Sequence, residues 1–451
     1  MEILVALTIF VLTITAIIFL SSGSQSVSID TELNNQTIYK AKEQLENARA
    51  TAKNNFGSLV SASSADNGFL KELIVENLGA YEKKVTSKVS WQITPSRILK
   101  TELATIISDW KSAVAVGGDT GGGGISGDWK NPRTLGSVDM GPGNSATGLD
   151  VINKIVYLST EASDSKKPDF YIIDATNGQN PSVRSSINTG PGLNAVDVAG
   201  HYAYVANQDD SSQLQIIDVN NLNSPNLAAS FKLPEASGIG NSIFYYNQKI
   251  YIGTKKATGP EFFIIDVTNP TNLISLGSKE INADVNAIYI KNNIAYLAVS
   301  NEYELKIFNI NNPAQITEIG SFNAPGDSED GKSLDLVNDK LYLGRTVGGN
   351  HADHHELHIL NVSNLSSIQN LGSKDLTADL NSLKIRDYLA FLATSDSNKE
   401  FQVWNISDPA NIAFWSSFNF PQVATGIDFE DNIVYVSIRS NDALRIITSS
   451  P

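Results

Sequence analysis

The 451-residue chain contains no cysteine. That removes disulfide frameworks, thiolate metal sites and cysteine nucleophiles together, but it leaves the compartment open, because a chain of this size also folds outside the cell without disulfides. Basic residues are few: 33 Lys and Arg stand against 48 Asp and Glu, a formal charge of −15. No run of Lys and Arg offers the basic face that phosphates need, so nucleic acid is not an expected partner. Catalytic signatures are missing too. There is no Gly-x-Ser-x-Gly, no His-Glu-x-x-His and no aligned Ser-His-Asp set, so neither an enzyme nor a cofactor is expected. What the chain does have is 41% hydrophobic residues, enough for the cores of two or three domains.

The longest apolar run is ILVALTIFVLTITAIIFL, residues 3–20, uncharged throughout. As a helix it extends roughly 27 Å, close to the roughly 30 Å of a bilayer's hydrocarbon. Neither Lys nor Arg precedes it; Met1 and Glu2 do. A cleavable signal peptide has a basic start and a shorter core, so a spanning segment is the favoured reading, with a lone signal anchor and a signal peptide as rivals. Beyond Ser21-Ser22-Gly23-Ser24, the apolar residues Ile38, Ala41, Leu45, Ala48, Ala52 and Phe56 recur at three- and four-residue steps, the spacing of one buried helical stripe.

This leading segment, EILVALTIFVLTITAIIFL followed by an Ala-rich helix through Phe56, resembles type IV pilins and pseudopilins. The register of Glu2, directly behind Met1, departs from the family's usual spacing. The resemblance implies that the apolar half-helix sits in the membrane before assembly and then packs with copies of itself or other pilins in a filament core. It also implies that Glu2 meets a neighbour's N-terminal amine. Two opposite charges about 4 Å apart attract by roughly 4 kcal/mol at an effective dielectric near 20, before desolvation, so Glu2 is the expected assembly residue.

From Lys83 the chain alternates, Val85, Val89, Trp91 and Ile93 against Lys84, Thr86, Lys88, Ser90 and Gln92, which predicts a half-buried strand. Arg97 to Trp110 predicts a strand and then a helix. KKVTSKVSW and RILKTELATIISDW together resemble the small sheet that pseudopilins lay against their helix. Gly117-Gly118-Asp119-Thr120-Gly121-Gly122-Gly123-Gly124-Ile125-Ser126-Gly127 follows. It lacks the Gly-Lys-Ser/Thr ending of a phosphate loop and is expected to be a tether with an r.m.s. span of roughly 18 Å.

The remainder repeats. An aromatic flanked by aliphatics recurs every 44–49 residues, at Tyr157, Tyr204, Tyr251, Tyr296, Tyr342, Phe391 and Tyr435. After each comes a second apolar strand, such as FYIID to Asp174 or FFIID to Asp266, and before each a third, such as NAVDV from Asn194. A fourth follows an Asn-Pro turn, as in LISLGS from Leu273. Four short strands per period of about 45 residues is the rhythm of propeller blades. The seventh unit ends one strand short, and NPRTLGSVDM from Asn131 has the form of the missing one. The IIDVTNP flavour at Ile264–Pro270 resembles the LVIVD-repeat propellers, a family of surface and secreted proteins, across nearly all of 131–451.

The fold expected is therefore multidomain: a long N-terminal helix (1–56), a small β head (57–116), a Gly-rich linker (117–127) and an all-β seven-bladed propeller (128–451) with its last blade closed by the N-terminal strand. The strand-ending Asp and Asn residues cap their own turns, as such side chains do. Asn194, Asn241, Asn286 and Asn381 open innermost strands and are candidates for one mouth of the central channel, as a ligand ring or as bonds between blades. His351, His354 and His355 with Asp353 cluster in GGNHADHHELH; they are the candidate metal ligands for Zn, Ni or Cu, against the alternative of a solvated loop. Asn35, Asn361, Asn364 and Asn405 stand in glycosylation sequons, common by chance in an Asn-rich chain. The functional expectation is a pilin-type filament subunit at the cell surface that displays a propeller for adhesion to a surface protein or glycan. A singly anchored extracellular propeller, acting as binder or enzyme, is the rival.

Overall fold

The computed structural model describes residues 31–52, 56–77, 82–94, 97–108, 124–141, 143–162, 167–326, 329–348 and 354–451. The chain divides into two compact units, Met1–Ala113 and Val114–Pro451. Glu2 and the run 3–20 lie outside the described residues, as do His351 and Asp353. Among the described residues no helix is long and apolar enough to cross a membrane.

In the first unit a helix, α1 (31–52), lies on an antiparallel sheet of β1 (Ala62–Asp66), β2 (Phe69–Asn77), β3 (Glu82–Thr94) and β4 (Arg97–Ser108) in that order. Ala41, Leu45 and Ala48 are buried. They pack with Phe56, Leu59, Phe69, Val85, Val89, Trp91 and Ile107, so the stripe at three- and four-residue steps meets the strand face at period two. Thr37 and Thr101 hydroxyls bond at 2.9 Å, and Lys40 Nζ reaches Asp66 at 2.7 Å. Two expectations are corrected. The helix is described as far as residue 52, and Phe56 belongs to a short 3-10 turn, Phe56–Ser58, rather than to the helix. Arg97–Ser108 is a single strand with no described helix after it. Leu99, Leu103 and Ile107 face the core while Ile98, Lys100, Glu102, Ala104 and Ile106 face outward, an alternation that only an extended chain satisfies.

The second unit holds seven four-stranded antiparallel sheets among the described residues. Sheets I to VI begin with the strands Asn144–Ile152, Leu193–Ala199, Gly240–Tyr246, Val285–Lys291, Gly331–Val337 and Leu380–Arg386, and sheet VII with Ala424–Glu430. In sheets I to VI the four strands follow in chain order. Sheet VII takes Ile433–Ile438 and Leu444–Ser450 from the C-terminus and its fourth strand, Asp128–Val138, from the start of the unit. The first strands touch from one sheet to the next, and that of sheet VII meets that of sheet I. The result is a closed propeller ring.

Local chemistry explains this arrangement. The third strands, such as Phe170–Asp174 and Phe262–Asp266, are buried through their first four residues, because both faces of each sheet are covered by neighbouring sheets. Such strands read as unbroken apolar runs. First and second strands join through two-residue turns, and in sheets I, III, IV and VII both turn residues have positive φ, as at Asn153-Lys154 (54° and 61°) and Asn292-Asn293 (51° and 61°), the twist that hairpins favour. The recurrent Gly of the outer strand marks a close approach: a Cβ on Gly277 would stand 1.8 Å from Pro313 O, and one on Gly372 1.7 Å from Pro409 O. Phe391, fully buried, stacks with Phe429 at 5.6 Å and meets Trp129 edge-on at 4.7 Å. Phe391→Ala should lower the unfolding free energy of the propeller by roughly 3–5 kcal/mol, measured as a shift in its urea midpoint at unchanged slope.

Candidate functional site

The first strands line a central cavity of about 200 Å³. In each, one position pairs across the hairpin with the recurrent aromatic: Asp150 with Tyr157, Asp197 with Tyr204, Phe244 with Tyr251, Tyr289 with Tyr296, Asp335 with Tyr342, Lys384 with Phe391 and Asp428 with Tyr435. All seven first-named residues line the cavity. Going round from sheet I, the wall is Asp, Asp, Phe, Tyr, Asp, Lys, Asp. Phe244 and Tyr289 form an aromatic side, ring centroids 5.3 Å apart, and the rest is acidic around one cation.

Each carboxylate is tied to the following sheet. Asp150 Oδ2 accepts Val198 N–H at 2.7 Å, Asp197 Oδ2 accepts Tyr245 N–H at 2.7 Å, Asp335 Oδ2 accepts Ile385 N–H at 2.7 Å and Asp428 Oδ2 accepts Val151 N–H at 2.9 Å. Lys384 Nζ pairs with Asp428 Oδ1 at 3.2 Å. Burial pushes the Asp150 carboxyl well above its ordinary range, and the Asp197 and Asp428 charges add to the rise. Burial likewise lifts Asp197 to about 7, against the opposing Tyr245 amide and Lys384. Chemically the wall is an electrostatic well of amide-bonded carboxylates.

The asparagines proposed for a channel mouth sit at the start of these same strands and reach across the seams. Asn194 Nδ2 donates to Gly240 O (2.6 Å), Asn241 to Asn286 Oδ1 (3.0 Å), Asn286 to Gly331 O (2.8 Å) and Asn381 to Ala424 O (2.9 Å). Thr147 and Thr425 hydroxyls make the same bond to Leu193 O and Ala146 O. The strand-ending acids cap their turns: Asp174, Asp218 and Asp266 accept the N–H two residues on. Neither the acidic ring nor the buried carboxylates just before the third strands emerged from sequence reasoning. Glu261, Glu304, Glu356 and Glu400 each accept a backbone N–H twenty residues later, from Ile281, Ala324, Leu376 and Phe420. A signal for the ring was present, since each member stands seven residues before its aromatic.

Of the candidate metal ligands, His354 bonds Glu329, and His355 Nδ1 lies 2.6 Å from Ser373 Oγ. Glu329 belongs to a buried charge cluster: Arg345 Nη2 lies 2.9 Å from Glu329 and 2.8 Å from Glu304, all three buried. His358 packs beside it, Nε2 3.2 Å from Arg345 Nη1, and burial with that guanidinium's charge pulls it down to about 3. His354 thus faces a carboxylate, His355 a hydroxyl and His358 a guanidinium. Among the described residues no group of three or more His, Asp or Glu is placed to hold a metal ion.

Two measurements follow. The folded-state values of Asp150 and Asp197 lie above the roughly 4 of an unfolded Asp, so the native chain holds more protons between about pH 4 and 7 and loses stability as pH rises through that window. Because the Asp150 carboxyl is raised as well, Asp197→Asn should flatten, not abolish, this decline in a melting-temperature profile. In the second cluster, Arg345→Met strands two buried carboxylates and should destabilise by roughly 3–5 kcal/mol. Adding Glu304→Gln and Glu329→Gln should recover most of that loss in denaturant titrations.

A family model for the LVIVD repeat matches residues 194–232 and 283–324. No curated protein matches the chain. Among solved structures it is similar to a chain of the mitotic checkpoint complex, at 13% identity and TM-score 0.55, covering 70% of this chain and 93% of that one. It is also similar to a catalytically inactive virginiamycin B lyase from Staphylococcus aureus with quinupristin, at 12% identity and TM-score 0.52, covering 69% and 98%. At such identities the likeness concerns the fold alone. The second unit of this chain is a β-propeller carrying LVIVD repeats.

Proposed function

We propose that the chain is a pilin-like subunit of a surface filament, and that its seven-bladed propeller is carried outward as a non-enzymatic adhesion module. The observation that carries this reading is an uncharged 18-residue run followed in the sequence, after residues 21–30, by an amphipathic helix whose apolar stripe lies on a four-stranded sheet. A membrane anchor alone needs only the run. A helix that goes on to carry its own small domain suits subunits packed side by side, where helix contacts rather than hydrophobic transfer supply specificity. Residues 3–20 sit in the membrane before assembly, and the finished filament lies outside the cell.

The propeller's role as a binder rests on its loops and on analogy of fold. Its ring polar groups are already engaged by neighbouring sheets, which leaves the loop surface for a protein or glycan. The test is electron microscopy of sheared surface material. Decorated fibres are expected from the unaltered chain and their loss from Glu2→Ala, with the propeller still folded. A membrane-bound chain with no fibres would instead favour the single-anchor reading, and fibres unchanged in Glu2→Ala would remove the role given to Glu2.

A further inference from the structure

The fourth strand of sheet VII is built differently from its six counterparts. Those run six residues each, for example Ser182–Ile187 and Ala413–Phe418, whereas Asp128–Val138 runs eleven and pairs as far as Ser450↔Asp128. The extra length is anchored. Trp129 is buried against Phe391, and its Nε1–H donates to Asn432 Oδ1 at 3.0 Å. Ser416 Oγ donates to Trp129 O at 2.8 Å, and Lys130 Nζ lies 5.2 Å over the Trp415 ring. The chain ahead of the strand is held as well: Ser126 N–H donates to Asn432 Oδ1 (2.9 Å) and Ile125 N–H to Asp387 Oδ2 (3.0 Å). The Gly-rich segment expected to be free through Gly127 is thus fastened from Ile125 onward, across sheets VI and VII.

These contacts sit where a covalent load would enter. Everything N-terminal to Gly124 joins the propeller through this segment, which pairs with the C-terminal strand and so also seals the ring. A seam of plain six-residue pairing would be the ring's weakest edge under tension. We propose that Ile125–Val138 is a load-bearing clasp pinned by Trp129, which passes tension from the tether into sheets VI and VII together and keeps the closing strand from peeling. This holds equally for a filament subunit and for a singly anchored chain, so it stands or falls separately from the proposed function.

Single-molecule pulling on the full chain tests it. The absence of native cysteine makes two introduced thiols the only attachment points. With handles at Gly121→Cys and Ser366→Cys, the load crosses the clasp. The unaltered propeller should open without a short preceding extension. Trp129→Ala should add an early, lower-force event that frees residues 125–138, a contour of roughly 50 Å at about 3.5 Å per residue less the span the folded strand already covers. With handles at Ser224→Cys and Asn272→Cys, the load crosses only sheets II and III, and Trp129→Ala should leave the rupture force unchanged. Asp387→Ala, which removes one exposed contact and leaves the core intact, should lower the clasp force in the first geometry alone. An early event of that length in the unaltered chain, or an equal fall in force in both geometries, overturns the proposal.

Discussion

Closure is the constraint on which the larger unit depends. Its third strands are buried on both faces and mostly apolar, so no sheet is stable until a like sheet covers each side. A row of such sheets always leaves two uncovered ends. Only a ring removes them, and the ring must join sheet VII to sheet I. The chain meets this by drawing the last strand of sheet VII from its own beginning, so that final assembly waits on contacts between residues more than 300 positions apart. Loop-closure entropy grows only slowly with such separation, and the buried Trp129 seat is suited to offset it.

The same demand explains the polar groups. Packing of aliphatic sheets is tolerant and does not by itself fix their rotation about the ring axis. Directional bonds do. Asp150, Asp197, Asp335 and Asp428 each hold an N–H of the following sheet, and Asn194, Asn286 and Asn381 hold its carbonyls. A carboxylate makes the stronger bond to an amide, but four of them around one axis repel. The ring balances this with Lys384 beside Asp428, with aromatic residues in sheets III and IV, and with protons retained near neutrality. The acidic cavity is therefore a by-product of register, and its field acts on whatever enters.

Much of this was legible. The aromatic at 44–49-residue spacing located every second strand, and Asn131–Met140 was recognisable as the displaced strand because LGS recurs in it. The Gly of that motif is needed for a reason visible only in space, where a turn of the adjoining sheet presses on it. The acidic ring escaped because a position occupied by Asp, Phe, Tyr and Lys has no composition to recognise; its constancy is one of offset. The buried acids before the third strands vary in the same way, from Asp169 and Gln213 to Glu261, since any acceptor at that point satisfies the same amide. In the head, β1 is too polar for periodicity to find, β2 carries apolar residues on both faces and so does not alternate, and Ile106-Ile107 imitates a helical step until the facing helix shows which of the pair is buried.

The two units carry separate cores, and this bears on how the chain is used. If head and propeller shared one core, substitutions that tune a binding surface would disturb the packing of the helix, and forces on the helix would reach the binding surface. With separate cores, the packing of either unit can change without disturbing that of the other. Under the clasp proposed above, tension entering from the N-terminal side is met at the first described residue that is bonded to a neighbouring sheet. In this chain that residue is Ile125, four positions before the tryptophan that pins the ring.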